Sequence, residues 1–216
     1  PSLSTGVAGI MIDENGHNAI NIVAGAAGHL QNIDIDKNLD VIKDSKIFLT
    51  QMETPDLTTM DALKKAKENN CLTILNPAPA RKIQKEDFKL LDFFTPNETE
   101  AEFYLNKKIE TKDDIQNAAK EFLSMGVKNI IITLGAKGVY FENKEENYFI
   151  DALSLKDEVI DTTGAGDAFN GALAVALSKD SNYNDAIIFA NKVGGISTTR
   201  LGAASSMPLL KEVEEY

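Results

Sequence analysis

The feature that most restricts the fold is an uninterrupted apolar run in the second half of the chain. Residues 129–134 read Asn-Ile-Ile-Ile-Thr-Leu, with three consecutive isoleucines from Ile130 to Ile132. A strand with one solvated face alternates apolar and polar side chains, whereas this run directs apolar side chains to both sides. We therefore predict a buried strand that is covered on both faces, as in a parallel sheet.

Predicted strands and helices alternate on either side of this run. The other predicted strands are 7–12, 19–23, 46–52, 72–75, 93–94, 139–141, 148–150 and one ending near residue 160. The predicted helices are 57–69, 99–105, 112–125, 168–177, 183–199 and a last one from residue 208. Gly126 is expected to end its helix in the left-handed conformation, and residues 13–16 to turn a hairpin. This alternation with short links predicts a three-layer α/β fold with helices on both faces of the sheet.

Charge and cysteine content exclude several classes of function. The net charge is -11 and the isoelectric point about 4.7, so a nucleic acid is not expected as a partner. No apolar stretch of this sequence is long enough to span a membrane. The single cysteine, Cys71, opens an apolar run and is expected to be buried, which suits a reducing cytoplasm. His17 and His29 lie outside any Cys/His cluster, so we expect surface or loop roles and not metal binding.

A glycine-rich loop carries the strongest chemical indication. Residues 161–171 read Asp-Thr-Thr-Gly-Ala-Gly-Asp-Ala-Phe-Asn-Gly between a predicted strand and a predicted helix. Gly164 and Gly166 let a ligand approach the main chain, and N–H groups at a helix N-terminus attract an anion. The run is not a Walker A loop, and Phe169 stands where a dinucleotide motif needs glycine. An aspartate such as Asp167 can also act simply as a helix cap, and the loop alone does not decide between these roles.

The full run resembles the C-terminal motif of the ribokinase (PfkB) family of carbohydrate kinases. This resemblance implies a doubly wound, ribokinase-like sheet and transfer of phosphate from ATP to a sugar hydroxyl. It also implies that Asp167 is the catalytic base that accepts the hydroxyl proton and contacts the sugar. Gly164, Ala165 and Gly166 correspond to the anion hole, with Gly166 also contacting ATP.

Further stretches resemble the same family and occur in the family's order. Asn97-Glu98-Thr99-Glu100 is similar to an Asn-x-x-Glu motif in which the asparagine serves ATP and the glutamate serves Mg²⁺ through water or phosphate. Asn97 and Glu100 also have the spacing of an ordinary helix cap. The segment Thr133-Leu134-Gly135-Ala136-Lys137-Gly138 resembles the nucleotide-binding turn, although a plain strand-turn-strand has the same pattern. The implied ATP contacts are Asn97, Thr133, Gly135, Ala136, Lys137, Gly138, Gly166 and Asn191.

Two other groups of residues follow from the resemblance. The stretches Gln51-Met52-Glu53 and Asn76-Pro77-Ala78-Pro79-Ala80-Arg81 are similar to the ribokinase branch, in which the glutamate matching Glu53 contacts the sugar. A charged residue at a strand end is the simpler alternative, yet α/β sheets bind ligands at that edge. The family also binds a monovalent cation, usually K⁺. The matching positions are Asp161, Thr163, Ser197, Arg200, Gly202 and Ser206.

The resemblance covers the chain but only about the last two thirds of the family pattern. Residues 1–26 match part of a small β lid, which implies a homodimer through the lid, and residues 27–216 match the nucleotide-binding and catalytic domain. The first strands and the glycine-rich sugar motif have no counterpart, so we expect a longer parent protein and weak sugar binding by these residues alone.

Several interpretations of the function stay open. The leading one is phosphorylation of D-ribose by ATP. A fructokinase, a deoxyribokinase or a nucleoside kinase of the same family is an alternative, as is a truncated protein that binds nucleotide without sugar turnover. The Asn-Pro-Ala-Pro-Ala-Arg run favours the first.

Overall fold

The fold is described by a computed structural model that covers residues 3–12, 18–156 and 158–216. The strands are β1 Thr5–Ile12, β2 Asn18–Gly25, β3 Ile47–Thr50, β4 Leu72–Leu75, β5 Phe93–Phe94, β6 Asn129–Thr133, β7 Val139–Glu142 and β8 Asn147–Ile150. The helices are α1 Asn32–Lys37, α2 Leu39–Lys43, α3 Asp56–Glu68, α4 Glu98–Leu105, α5 Lys112–Met125, α6 Ala165–Ser178, α7 Tyr183–Ser197 and α8 Leu210–Glu214. Short 3₁₀ turns lie at Ala26–His29, Lys85–Leu90, Gly135–Lys137 and Ala204–Ser206.

The chain forms two compact units. The first consists of Pro1–Thr5 and Ala24–Ile150, and the second of Gly6–Val23 and Asp151–Tyr216. The first unit contains β3 to β8 and α1 to α5, whereas α6 to α8 belong to the second. The division of the chain into a lid at 1–26 and a catalytic domain at 27–216 stays a prediction.

The sheet of the first unit has six strands in chain order. Strands β3 to β6 run parallel, and β7 and β8 continue the sheet as antiparallel strands at one side. The carboxyl ends of the four parallel strands therefore share one edge, which is where sheets of this type bind ligands. The first two strands pair separately as a two-stranded sheet.

The isoleucine run forms the doubly covered strand that its composition predicted. Ile130, Ile131 and Ile132 are completely buried, so both faces of β6 are covered. On one side of the sheet Phe88, Phe94, Tyr104 and Phe122 pack edge-on, with the Phe88 and Phe94 ring centres 5.5 Å apart. Burial of these rings supplies much of the stability of this layer.

A polar network lies at the opposite edge of the sheet, where the parallel strands begin. Asp92 precedes β5 and is 8% exposed. Its carboxylate accepts hydrogen bonds from the backbone N–H and hydroxyl of Thr73, and pairs with Lys67 and Lys128. Each buried oxygen therefore has partners, as burial of a charge requires.

Helices α6 and α7 pack closely within the second unit. A Cβ atom on Gly194 would lie only 3.1 Å from the carbonyl oxygen of Ala165. The absence of a side chain at Gly194 thus allows the two helix backbones to approach closely.

Most predicted elements are present, and the differences are local. The predicted strand ending near residue 160 is wrong, because the described residues between 151 and 164 form no strand. Instead, the N–H groups of Ile160 and Asp161 donate to the carbonyl of Thr198 at the end of α7. The short α1 and α2 were not predicted, because their few apolar residues give no helical period. The predicted turn at 13–16 and His17 lie outside the described residues.

Other expectations of the sequence concern single residues. Gly126 ends α5 with a φ of 114°, as predicted. Cys71 is 2% exposed and its Sγ donates to the carbonyl of Ile42, and burial raises the pKa of this thiol. Among the described helices, none has both the length and the apolar character needed to cross a membrane.

Candidate active site

The second unit places the glycine-rich run at the start of α6. Gly164 is the N-cap with a φ of 77°, a left-handed conformation that favours glycine. The helix begins at Ala165, three residues earlier than predicted, so Ala165, Gly166 and Asp167 form its first turn. Gly164 has no side chain that could cap the helix, and the Ala165 N–H donates to the Thr162 carbonyl at 3.2 Å. The first turn of a helix presents N–H groups and partial positive charge to an anion.

Access to this helix end is open. A Cβ atom on Gly166 would meet no atom within 4 Å, and the side chain of Asp167 is exposed. Because Gly164 occupies the N-cap position, the alternative interpretation of Asp167 as that cap is not supported. The arrangement therefore leaves the Asp167 carboxylate exposed in the first turn of α6, where it can accept a proton from a group held there.

Asp161 fixes the loop that leads to α6. Its side chain is 1% exposed, with Oδ1 accepting from the N–H of Thr163 and Oδ2 from the N–H of Gly202, both at 2.9 Å. Hydrogen bonds from Thr163 and Gly202 lower the pKa of this carboxyl, so it is ionised at neutral pH. Gly202 has a φ of 95°, and a Cβ atom there would lie 2.6 Å from the hydroxyl of Ser205. Asp161 thus joins two loops through one carboxylate.

The other residues predicted to hold a cation make contacts of their own. Ser197 and Ser206 are buried and their hydroxyls donate to the carbonyls of Gly194 and Ala203. Arg200 pairs with Glu212 of α8. The structure therefore brings Asp161, Thr163 and Gly202 together by direct hydrogen bonds.

In the first unit, Asn97 and Glu100 form a reciprocal cap at the start of α4. The Oδ1 atom of Asn97 accepts from the N–H of Glu100 at 2.8 Å, and a Glu100 oxygen accepts from the N–H of Asn97 at 2.9 Å. This is the helix-cap alternative that the spacing left open. Burial raises the pKa of Glu100 even though the Asn97 N–H opposes the shift. One Glu100 oxygen takes part in this cap, and the structure does not test a role in Mg²⁺ binding.

The predicted nucleotide-binding turn lies beside this cap. Asn97 and Thr133 form an isolated parallel bridge, and the N–H of Thr133 donates to the carbonyl of Pro96. Lys137 pairs with Glu98 at 3.2 Å. The turn itself closes through a bond from the Leu134 N–H to the carbonyl of Gly138, and the structure thus brings the Asn-x-x-Glu motif and residues 133–138 together.

Glu53 is exposed directly beyond the carboxyl end of β3. Its neighbour Gln51 donates to the side chain of Asn76 at 2.8 Å, and Asn76 donates to the carbonyl of Thr95 at 2.9 Å. A row of polar groups thus crosses the ends of β3, β4 and β5. The sequence assigned no role to Gln51 or Asn76, although polar residues that directly follow parallel strands were a usable sign.

Asn191 and the groove beside Asp167 complete the description of the second unit. The Asn191 amide donates to the carbonyl of Asp151 at 2.8 Å. A groove of about 640 Å³ begins at Asp167 and continues along α6 past Ala172 and Val175 toward Phe189. Its lining is mostly apolar, with Asp167, Lys179, Ser181 and Asp185 as its polar members, and we do not assign the sugar to it.

The polar groups of the candidate site determine which ligands can bind there. Within the described residues no three His, Cys, Asp or Glu side chains converge on one point, so these residues offer no cage for a divalent ion. The N-terminus of α6 suits an anion such as a phosphate group. An ionised carboxylate at Asp161 suits a monovalent cation only together with backbone carbonyls. A helix N-terminus that can bind phosphate, next to a carboxylate that can accept a proton, is an arrangement suited to phosphoryl transfer to a hydroxyl.

Comparison with known proteins identifies the class. Residues 1–210 match the pfkB family carbohydrate kinase. The chain belongs to the pfkB family of carbohydrate kinases, as the resemblance of its glycine-rich run predicted.

Within this family the chain is similar to ribokinases. The ribokinase of Staphylococcus aureus is 38% identical over 212 residues, which are 98% of this chain and 69% of that protein. The structure of Thermotoga maritima ribokinase has a TM-score of 0.87 at 42% identity and covers 100% of this chain and 70% of its own. Arabidopsis thaliana ribokinase complexed with ribose and ATP has a TM-score of 0.90 at 30% identity, covering 99% and 69%.

These likenesses confirm two expectations of the sequence. The fold is an α/β ribokinase-like fold with a mixed central sheet flanked by helices. The activity class is that of a carbohydrate kinase. The roles assigned to individual residues are not tested by likeness and stay predictions.

Proposed function

We propose that this protein phosphorylates D-ribose with ATP to give D-ribose 5-phosphate and ADP. The observation that carries the proposal is the first turn of α6, which follows Gly164 as the N-cap and in which Asp167 is exposed. The similarity to ribokinases, one of them complexed with ribose and ATP, supports ribose as the sugar.

The proposed reaction transfers one proton and one phosphoryl group. The carboxylate of Asp167 accepts the proton of the sugar hydroxyl as its oxygen forms a bond to the terminal phosphorus of ATP. The bond from that phosphorus to the ADP oxygen breaks at the same time. The N–H groups of Gly164, Ala165 and Gly166 stabilise the negative charge of the transferred group. Such reactions depend mainly on positioning and charge stabilisation, so a weak base such as aspartate suffices.

The first unit supplies the nucleotide contacts of the proposal. Asn97, Thr133 and the turn from Gly135 through Ala136 and Lys137 to Gly138 contact ATP. Asn191 is assigned to ATP by the family resemblance alone. The contact between Asn97 and Thr133 supports a common role for the two motifs. Glu100 serves Mg²⁺ through water or phosphate, which fits the lack of a cage of protein ligands among the described residues. When bound, Mg²⁺ neutralises phosphate charge.

A monovalent cation and the sugar complete the set of ligands. K⁺ binds at Asp161, Thr163, Ser197, Arg200, Gly202 and Ser206, with Asp161 contributing the charge and the others mostly backbone oxygens. Glu53 contacts the sugar, and its exposure at the carboxyl end of β3 supports that role.

We also propose a homodimer formed through the hairpin of β1 and β2, and a location in the cytoplasm. Val7, Met11 and Val23 are 65%, 59% and 64% exposed, which is costly for apolar side chains unless another surface covers them. The buried thiol of Cys71 agrees with a reducing compartment.

A panel of acceptors tests the proposed function. Purified full chain is mixed with ATP, Mg²⁺ and K⁺, and ADP release is measured with D-ribose, 2-deoxy-D-ribose, D-fructose and adenosine. We expect kcat/KM for D-ribose to exceed that for each of the others by at least about tenfold. A site built to hydrogen-bond a hydroxyl rejects 2-deoxyribose, which lacks it, and a site shaped for ribose positions fructose and adenosine less well.

Each other outcome points to a different protein. A preference for 2-deoxyribose, fructose or adenosine would assign the corresponding kinase of the family. ATP binding by calorimetry without turnover of any acceptor would favour a nucleotide-binding protein without sugar turnover.

A further inference from the structure

We propose that Gln51 and Asn76 are positioning residues that hold Glu53 in place for the sugar. The inference rests on the proposed function of Glu53 and extends it to two side chains that carry no assigned role. It concerns the carboxyl ends of β3, β4 and β5 in the first unit.

A chain of side-chain hydrogen bonds joins these three strands. Gln51 Nε2 donates to Asn76 Oδ1 at 2.8 Å, although the residues are 25 positions apart in the sequence. Asn76 Nδ2 then donates to the Thr95 carbonyl at 2.9 Å. Asn76 is only 7% exposed and Thr95 only 1%, so the chain of bonds is anchored in the protein interior. A buried amide that has both its oxygen and its nitrogen engaged has one favoured orientation.

The backbone on either side of Glu53 is fixed by the same region. The N–H of Met52 donates to the Ala78 carbonyl at 3.0 Å, and the Met52 side chain is completely buried. After Glu53, the Thr54 carbonyl accepts from Arg81 at 3.4 Å, and the Thr54 hydroxyl bonds to Thr59 at 2.6 Å. Both ends of this short segment are therefore held by residues 76–81 and by α3.

Only the Glu53 side chain extends into solvent from this fixed segment. A carboxylate on a held backbone loses little freedom when a ligand binds, so a sugar hydroxyl can be engaged at lower entropic cost. The bond from Gln51 is two residues from Glu53 and sets the direction in which the chain leaves β3. Loss of that bond should therefore weaken sugar binding while leaving ATP binding unchanged.

Steady-state kinetics with Gln51→Ala tests the inference in the full chain. We expect KM for D-ribose to rise about fivefold, the usual effect of one lost hydrogen bond, with KM for ATP and kcat within about twofold of the unchanged protein. Asn76→Ala should raise KM for ribose by at least as much, because it removes both bonds.

Asn129→Ala is the matched control for Asn76→Ala. Asn129 is 6% exposed, and its amide donates to the Asp92 carbonyl of the neighbouring strand at 2.8 Å, at the opposite edge of the same sheet. Both variants should lower the melting temperature, but only Asn76→Ala should raise KM for ribose. If Asn76→Ala does not fold, Gln51→Ala at the half-buried position carries the test.

A double-mutant cycle separates positioning from an independent effect. Glu53→Ala should raise KM for ribose, and adding Gln51→Ala to it should cause no further rise. An unchanged KM for ribose in Gln51→Ala, or an equal rise in the Glu53→Ala background, would overturn the inference.

Amide hydrogen exchange tests the inference independently of the proposed function. We expect the Met52 amide to exchange faster in Gln51→Ala than in the unchanged protein, and in Asn129→Ala to exchange at the original rate. If no sugar is turned over, the proposed function fails. Faster exchange of the Met52 amide would still support the inference that Gln51 holds the backbone at Glu53 in place. Unchanged exchange would overturn that hold whatever the kinetics show.

Discussion

At the scale of single residues, the acidic side chains differ in burial. Asp161 and Asp92 are buried and accept hydrogen bonds from N–H groups or from lysines. Asp167 and Glu53 are exposed at a helix N-terminus and a strand end. The buried carboxylates hold loops and strands together, whereas a ligand can reach the exposed ones at such ends. This difference, more than residue type, separates structural from candidate functional acids.

Asp92 gives a prediction about stability and pH. Burial alone would raise its pKa, but bonds from Lys128, Lys67 and Thr73 outweigh burial and lower the pKa below its ordinary 3.8. A lowered pKa means that the ionised form stabilises the fold above about pH 4, and that this contribution is lost as pH falls through the folded-state pKa.

The variant Asp92→Asn should therefore lower the free energy of unfolding by about 3 kcal/mol at pH 7, because it leaves two lysines without their buried partner. The difference from the unchanged protein should shrink as the pH falls below about 4. Urea unfolding at pH 7 and pH 3 measures both values, and a difference that stays constant between them would contradict the assignment.

At the scale of elements, α6 illustrates what the sequence could and could not predict. Its existence followed from the apolar spacing after the glycine loop, but its first turn did not. Gly166 disfavours a helix by about 1 kcal/mol relative to alanine, so the local sequence gives little sign that the helix starts before Ala168. The contact of Ala165 with Gly194 of α7 accompanies the earlier start, and such a contact is not visible in a local pattern. The Gln51–Asn76 bond was missed for the same reason.

The loop held by Asp161 also carries a prediction at this scale. Asp161→Asn keeps the size of the side chain, but it removes the charge and one acceptor for the N–H groups of Thr163 and Gly202. For the protein without the substitution, we expect a higher kcat in K⁺ buffer than in tetramethylammonium buffer. For Asp161→Asn, we expect kcat in K⁺ buffer to fall about tenfold or more, because the loop before α6 loosens.

Initial rates in the two buffers check this expectation. Asp185→Asn, in the first turn of α7, is the control and should keep the response to K⁺. Equal rates of the unchanged protein in both buffers would count against a cation site.

At the scale of the whole molecule, the family pattern is readable in the sequence because its motifs are local. Asp161 to Gly171 and Asn97 to Glu100 are short runs that resemble motifs of the family, and this resemblance predicts a carbohydrate kinase. The six-stranded order and the division into two units depend on contacts between distant residues, which a single sequence does not display. Matched relatives extend beyond this chain, which spans about 69% of their length.

The variant Asp167→Asn in the full chain tests most directly whether Asp167 is the catalytic base. Its turnover and its ATP binding are measured, with Asp185→Asn as the control. Removing a catalytic base should lower kcat with ribose by about 10² to 10⁴, while the Kd for ATP from calorimetry stays within about twofold. The control should keep both values. Turnover by Asp167→Asn close to that of the unchanged protein would show that Asp167 is not the base.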